Sequence, residues 1–209
     1  ISWAYGHLLE LVSPEQYDPS YKFWTLQKLP ILPSVFLLQP IASSEKQLKE
    51  LLNLIKSKQI ETIINACDAG REGELIFRNL IAYSKTKKSH LRLWLSSMTQ
   101  EAIDKAFQNL KNGSEFDSLA SAAKCRSESD WLVGINATRA ITRRCGDLFS
   151  VGRVQTPTLS IIVEREKEIL SFVKKTYFEV TAVFKTETPS VTYSGKWLHS
   201  SSSSENPYE

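Results

Sequence analysis

The chain has 209 residues, a formal net charge of +3 and an apolar fraction of 42%, enough for one or two domains with a substantial core. It reads without a signal peptide or an apolar run long enough to span a bilayer, and the charge is too small to argue for nucleic acid by itself. Its three cysteines, Cys67, Cys125 and Cys145, form no Cys-x-x-Cys pair, which disfavours a zinc ribbon and fits a reducing cytoplasm.

The opening Ile1-Ser2-Trp3 reads as the middle of a domain, so the chain is expected to be a fragment at both ends. Residues Ser2 to Leu8 read as a strand end followed by a turn at Gly6. His7, beside apolar neighbours, reads as structural. Prolines at 14, 19, 30, 33 and 40 divide the next stretch into loops, which Trp24 and Leu26 are expected to pack on the core. An amphipathic helix is predicted over 43–58, capped by Ser43 or Ser44, with Leu48, Leu51, Leu52 and Ile55 as its stripe.

The next stretch, Thr62-Ile63-Ile64-Asn65-Ala66-Cys67-Asp68-Ala69-Gly70-Arg71-Glu72-Gly73-Glu74-Leu75-Ile76, organises the chain. Its first half reads as a buried strand and its second opens a helix running to about Tyr83. Carboxylates at a strand end and on a first helical turn suit a hard divalent cation, which takes one or two carboxylates and completes its shell with water or phosphate. They also suit the positive end of the helix dipole. Asp68, Glu72 and Glu74 are therefore the candidate metal ligands.

Leu91 to Trp94 returns as a strand, giving the alternating order of a parallel α/β sheet, whose ligands bind at the carboxyl ends of strands. A helix capped by Ser97 or Thr99 follows, ended by Asn112-Gly113, and then a longer one from about Phe116 to Arg144. From Ser121 to Gln155 bases outnumber acids, with Lys124, Arg126, Arg139, Arg143, Arg144 and Arg153 against Glu128, Asp130 and Asp147, as a phosphate-facing surface would require. The string Ser150-Val151-Gly152-Arg153-Val154-Gln155-Thr156-Pro157 places a flexible glycine, an arginine and a proline at a helix start, where unpaired backbone N–H groups can receive a phosphate. That helix runs to about Phe172. Residues Tyr177 to Lys185 and Val191 to Leu198 read as a hairpin, and Ser200 to Ser204 as a flexible low-complexity run.

The string Asp68-x-Gly70-Arg71-Glu72-Gly73-Glu74 resembles the acidic signature of the Toprim fold in type IA DNA topoisomerases, most closely the topoisomerase III group. Gly70 stands where that family usually has a second aspartate. Upstream, Trp3-x-x-Gly6-His7-Leu8, Tyr17-Asp18 and Trp24-x-Leu26-x-x-Leu29-Pro30 fit the same group. Downstream, Asp130-Trp131-Leu132-x-Gly134-x-Asn136-x-Thr138-Arg139-Ala140 resembles the family segment that joins the Toprim domain to a helical domain.

The resemblance implies an α/β Toprim-type parallel sheet with flanking helices over residues 1–96. It further implies a helical DNA-binding part over 97–174 and the start of a β-rich arch over 175–209. It implies Mg²⁺ as cofactor and single-stranded DNA as partner. Glu72 and Arg71 would be catalytic, and Ser150, Val151, Gly152, Arg153, Val154 and Gln155 would contact DNA, with Arg139 a further candidate. The implied reaction cuts one strand through a phosphotyrosine link, passes a strand and reseals the break without ATP. None of the seven tyrosines has the family's Tyr-x-Arg setting, and the family's first glutamate would precede Ile1, so this chain alone is expected to be inactive. Another Toprim-fold protein, or a DNA-binding remnant without catalysis, remains the alternative.

Overall fold

The structure, a computed structural model, describes residues 1–198, and its contacts group the chain into two units, Ile1–Thr158 and Leu159–Glu209. The first unit is mixed α/β. Residues 1–8 form no strand, contrary to the expectation of one before Gly6, although Gly6 does turn, at a φ of +116°. Strand β1 (Leu9–Leu11) follows instead, because Leu8, Leu9 and Val12 are the buried residues there. It pairs antiparallel with β2 (Leu38–Pro40), Leu9 opposite Pro40. Between them lies a short helix, α1 (Pro14–Tyr17), and looping chain.

Helix α2 (Glu45–Lys56) buries Leu48 and Ile55, with Leu51 and Leu52 packed beside them, as its apolar stripe requires. Ser44 is its N-cap by position but makes no side-chain cap bond. The core cluster joins Leu48 and Ile55 to Leu8, Leu9 and Leu80. Leu26, expected on the core, is exposed.

Strand β3 (Thr62–Asn65) pairs parallel with β4 (Ser89–Arg92), Asn65 opposite Arg92, and helix α3 (Arg71–Ser84) makes the crossover. The parallel order read from the sequence holds for this pair. The two-residue β5 (Lys111–Asn112) runs antiparallel beside β4, and β1 and β2 stand outside this sheet.

Thr99 caps helix α4 (Gln100–Gln108) by accepting from the Ala102 amide. Asn112-Gly113, read as the stop of that helix, instead starts the next turn. Asn112 and Glu115 form a capping box ahead of a 3₁₀ turn that leads into α5 (Asp117–Cys145). At its far end Gly146 takes the left-handed conformation, with a φ of +89°. Among the described residues no helix is long and apolar enough to cross a membrane.

Helix α6 (Gln155–Leu170) begins before the boundary between the units. In the second unit β6 (Thr181–Lys185) and β7 (Thr192–Lys196) form the hairpin read from the sequence, with Phe184 stacked on Tyr193 at 5.2 Å. The expectation for Ser200–Ser204 lies outside the described residues.

One histidine makes the first unit sensitive to pH. His90 on β4 packs against Phe77, and Gly113 lies so close that a Cβ there would meet the ring at 2.1 Å. Burial, then the charge of Arg78, holds its pKa below the ordinary 6.5, against the opposing pull of Glu74 and Asp117. The unfolded chain therefore takes up this proton first, and stability should be lost as pH falls from 6.5 through the folded value. Urea unfolding of the wild type between pH 8 and 5 should show that decline, and His90→Gln should flatten it. The depressed carboxyls Glu15, Asp18 and Glu45 act in a lower window, below the ordinary carboxylate pKa.

Candidate functional site

The strand-to-helix turn after β3 is built around Gly73. A Cβ on Gly73 would lie 2.2 Å from the Asp68 carbonyl oxygen, so only glycine lets the first turn of α3 press against the turn backbone. Gly70, the N-cap of α3, has extended backbone at φ 174° and ψ −179°, and a Cβ there would meet nothing within 4 Å.

The three carboxylates of the acidic string part company. Asp68 and Glu72 are exposed, whereas Glu74 is 1% exposed. One Glu74 oxygen accepts from Arg78 Nε at 2.8 Å. The other accepts from Asn65 Nδ2 at 3.1 Å and lies 3.2 Å from Arg92 Nε. Glu74, expected as a metal ligand, is placed inward in this structure, with both of its oxygens engaged by protein donors. The cause is helical geometry. Residues two apart project about 200° apart around the axis, so Glu72 and Glu74 cannot share a face.

Arg92, also 1% exposed, is the counterpart of Glu74. It donates to the carbonyls of Asn65 at 3.0 Å, Cys67 at 2.6 Å and Leu93 at 2.9 Å through Nη1, and to that of Asp68 at 2.6 Å through Nη2. Burial works against its charge, with Glu74 the leading group that supports it. Burial also pushes the Cys67 thiol up, which keeps it out of thiolate chemistry.

His7, read as structural, lies with Nε2 3.3 Å from a Glu72 oxygen, both side chains substantially exposed. Its position directly after the Gly6 turn was the signal that could have marked it. Among the described residues no group of three His, Cys, Asp or Glu side chains is placed to enclose a metal. The accessible donors, Asp68 and Glu72, are carboxylate oxygens. That set fits a hard divalent cation sharing two protein ligands with water and phosphate, not a dedicated protein cage. Arg71 is exposed at the start of α3.

The second string packs on α5. Thr138 Oγ1 accepts from the Val151 amide at 2.9 Å, and Gln155 Nε2 donates to Ser150 Oγ at 2.7 Å. Arg153 donates to Asp130 Oδ1 at 2.9 Å, while Arg126 Nε lies 3.9 Å from the other Asp130 oxygen. Arg153, Val154 and Gln155 are exposed.

Arg139, a further candidate for DNA contact, is turned into the protein in this structure. It is 4% exposed, donates to Tyr21 O at 2.6 Å and Glu15 Oε1 at 2.8 Å, and lies 5.0 Å from the Trp24 ring centre. Trp131 and Asn136 on the same helix hold Val12 and Ile31 in the same way. The Asp130–Ala140 segment is thus a two-sided clamp between the N-terminal loops and the Ser150–Gln155 loop.

Comparison with known proteins finds DNA topoisomerases. A family described as DNA topoisomerase matches residues 114–208. DNA topoisomerase 3 of Staphylococcus epidermidis is 46% identical over 181 residues, covering 87% of this chain and 26% of that protein. DNA topoisomerase 3 of Bacillus licheniformis is 45% identical over 182 residues, with 87% and 25% covered. Full-length topoisomerase I from Thermotoga maritima superposes with a TM-score of 0.58 at 26% identity, over 87% of this chain and 29% of that one. The chain therefore spans about a quarter of the length of the curated relatives it matches.

The two glycines of the acidic turn should respond in opposite ways. Gly73→Ala should cost about 1–3 kcal/mol in urea unfolding, the usual range for an overpacked site. Gly70→Asp should unfold at or above the wild-type midpoint, because the site is open and aspartate is a favoured N-cap.

Proposed function

We propose, from the premise that this chain is a homologue of the DNA topoisomerase 3 proteins, that it forms the cation-binding and strand-holding part of a type IA DNA topoisomerase. The observation that carries the reading is the 46% identity over 181 residues, a stretch long enough within 209 to include both the acidic string and the Ser150–Gln155 string. In this reading residues 1–96 are a Toprim domain, 97–174 the helical part that holds DNA, and 175–209 the start of a β-rich arch. The whole protein, a cytoplasmic isomerase, would join a tyrosine to one DNA strand, pass another strand through the break and reseal it.

Each residue then has a task. Asp68 and Glu72 would hold Mg²⁺ at the carboxyl end of β3, with His7 orienting the Glu72 carboxylate. When bound there, the cation supplies positive charge to the scissile phosphate and to the departing 3′ oxygen. Arg71, exposed on the same turn, would face that phosphate. Arg153, with the backbone of Ser150 to Gln155, would hold the phosphates of a single strand, its guanidinium being paired with Asp130 in this structure. The tyrosines of this chain lack the Tyr-x-Arg setting, so no nucleophile is assigned to it.

The salt dependence of oligonucleotide binding tests the strand-holding half. Arg153→Ala should lower the slope of log affinity against log salt by roughly 0.7, the loss of one phosphate contact to a single strand. The loss should be similar for every sequence, since backbone contacts carry no base information. Arg143→Ala and Arg144→Ala should change the slope less, and Arg139→Ala should reduce stability with the slope unchanged. An unchanged slope for Arg153→Ala with a large loss at Arg143 or Arg144 would move the DNA path elsewhere.

A further inference from the structure

Arg92 does more than neutralise a buried acid. A strand ladder stops pairing at its end, and the carbonyls beyond it need other donors. Here one guanidinium collects those of Cys67 and Asp68 beyond β3 and that of Leu93 beyond β4, and shares the Asn65 carbonyl with the Leu93 amide. Glu74 anchors the guanidinium from α3, and Trp94, stacked on Phe116, covers it at 5.0 Å. The Asp68 backbone is thereby held from two sides, by Arg92 at its carbonyl and by the close approach of Gly73.

We propose that Arg92 is a positioning residue for the cation site, fixing the backbone from which the Asp68 carboxylate projects. Glu74 is its counter-ion and contributes to stability, not to coordination. The inference rests on the reading that Asp68 and Glu72 hold a divalent cation. It divides the acidic string into two carboxylates that meet the cation and one that holds the arginine behind them. Lysine could keep the charge of Arg92 but not its fork, and so could not reach four carbonyls at once. Partners that orient a metal ligand without touching the metal commonly change affinity by about 10–100-fold when removed.

The test is Mn²⁺ binding to the 209-residue chain, followed by electron paramagnetic resonance, with thermal unfolding of the same samples. Asp68→Asn is the reference and should abolish binding; if it binds as the wild type does, the cation reading fails and takes the inference with it. With that reference satisfied, Arg92→Lys should bind Mn²⁺ about tenfold more weakly while keeping its helical signal. Wild-type affinity in Arg92→Lys would overturn the positioning role. Glu74→Gln gives a second and independent reading should the lysine variant fail to fold. It should lower the unfolding midpoint and change Mn²⁺ affinity by less than about threefold, below the range for residues that act on a metal. A loss of binding as large as that of Asp68→Asn, at an unchanged midpoint, would make Glu74 a ligand and overturn the proposal.

Discussion

The first unit depends on one buried ion pair, Arg92 with Glu74, each 1% exposed. Two charges taken from water are costly unless geometry and further hydrogen bonds compensate. The compensation is complete on the acid, whose oxygens meet Arg78, Asn65 and Arg92, and extends on the base to four carbonyls. A hydrophobic pair of equal volume could fill the space, but it would remove the guanidinium donor from the Cys67, Asp68 and Leu93 carbonyls, and only that of Asn65 would keep a second donor, the Leu93 amide. The pair is therefore better understood as what ties strand ends, turn and helix into one arrangement than as a source of net stability.

A second constraint lies along α5. Its central turns present Trp131, Asn136 and Arg139 to the loops at Val12, Ile31 and Tyr21, and Asp130 and Thr138 to the loop carrying Arg153. One rigid helix thus fixes two irregular segments that have no ladder of their own. Loops of this kind carry function because a scaffold places them. Arg139 and Arg153, fourteen positions apart and chemically identical, end in different roles because one meets the N-terminal loops and the other meets an exposed acid.

Much of this was legible in the sequence. The strand-turn-helix order around Asp68, the stripe of α2, a cap at Ser97 or Thr99, the span of α5 and the terminal hairpin follow from period and capping, although β3 is not the buried strand expected, with only Asn65 buried and Ile64 exposed. The inward turn of Glu74 was also readable, since Glu72 and Glu74 cannot share a helix face and Arg78 stands four residues on. Other features depended on partners far away in sequence. Arg139 reaches Tyr21 across 118 positions, and nothing near it announces burial. Arg92, between Leu91 and Leu93, occupies a position where an alternating strand places a polar, solvent-facing residue. Its partners are carbonyls, which sequence does not mark. Asn112-Gly113 carries a signal that both stops and starts helices, and the pairing of Lys111 and Asn112 with β4 decides between them.

The central claim is that the acidic string divides, with Asp68 and Glu72 facing a cation and Glu74 facing the protein. The most direct measurement is the anomalous signal from crystals of this chain grown with Mn²⁺ and a short single-stranded oligonucleotide. The expected map has manganese beside Asp68 and Glu72, with Glu74 still on Arg78 and Arg92. Manganese coordinated by Glu74, with Arg92 released from the turn, would contradict it.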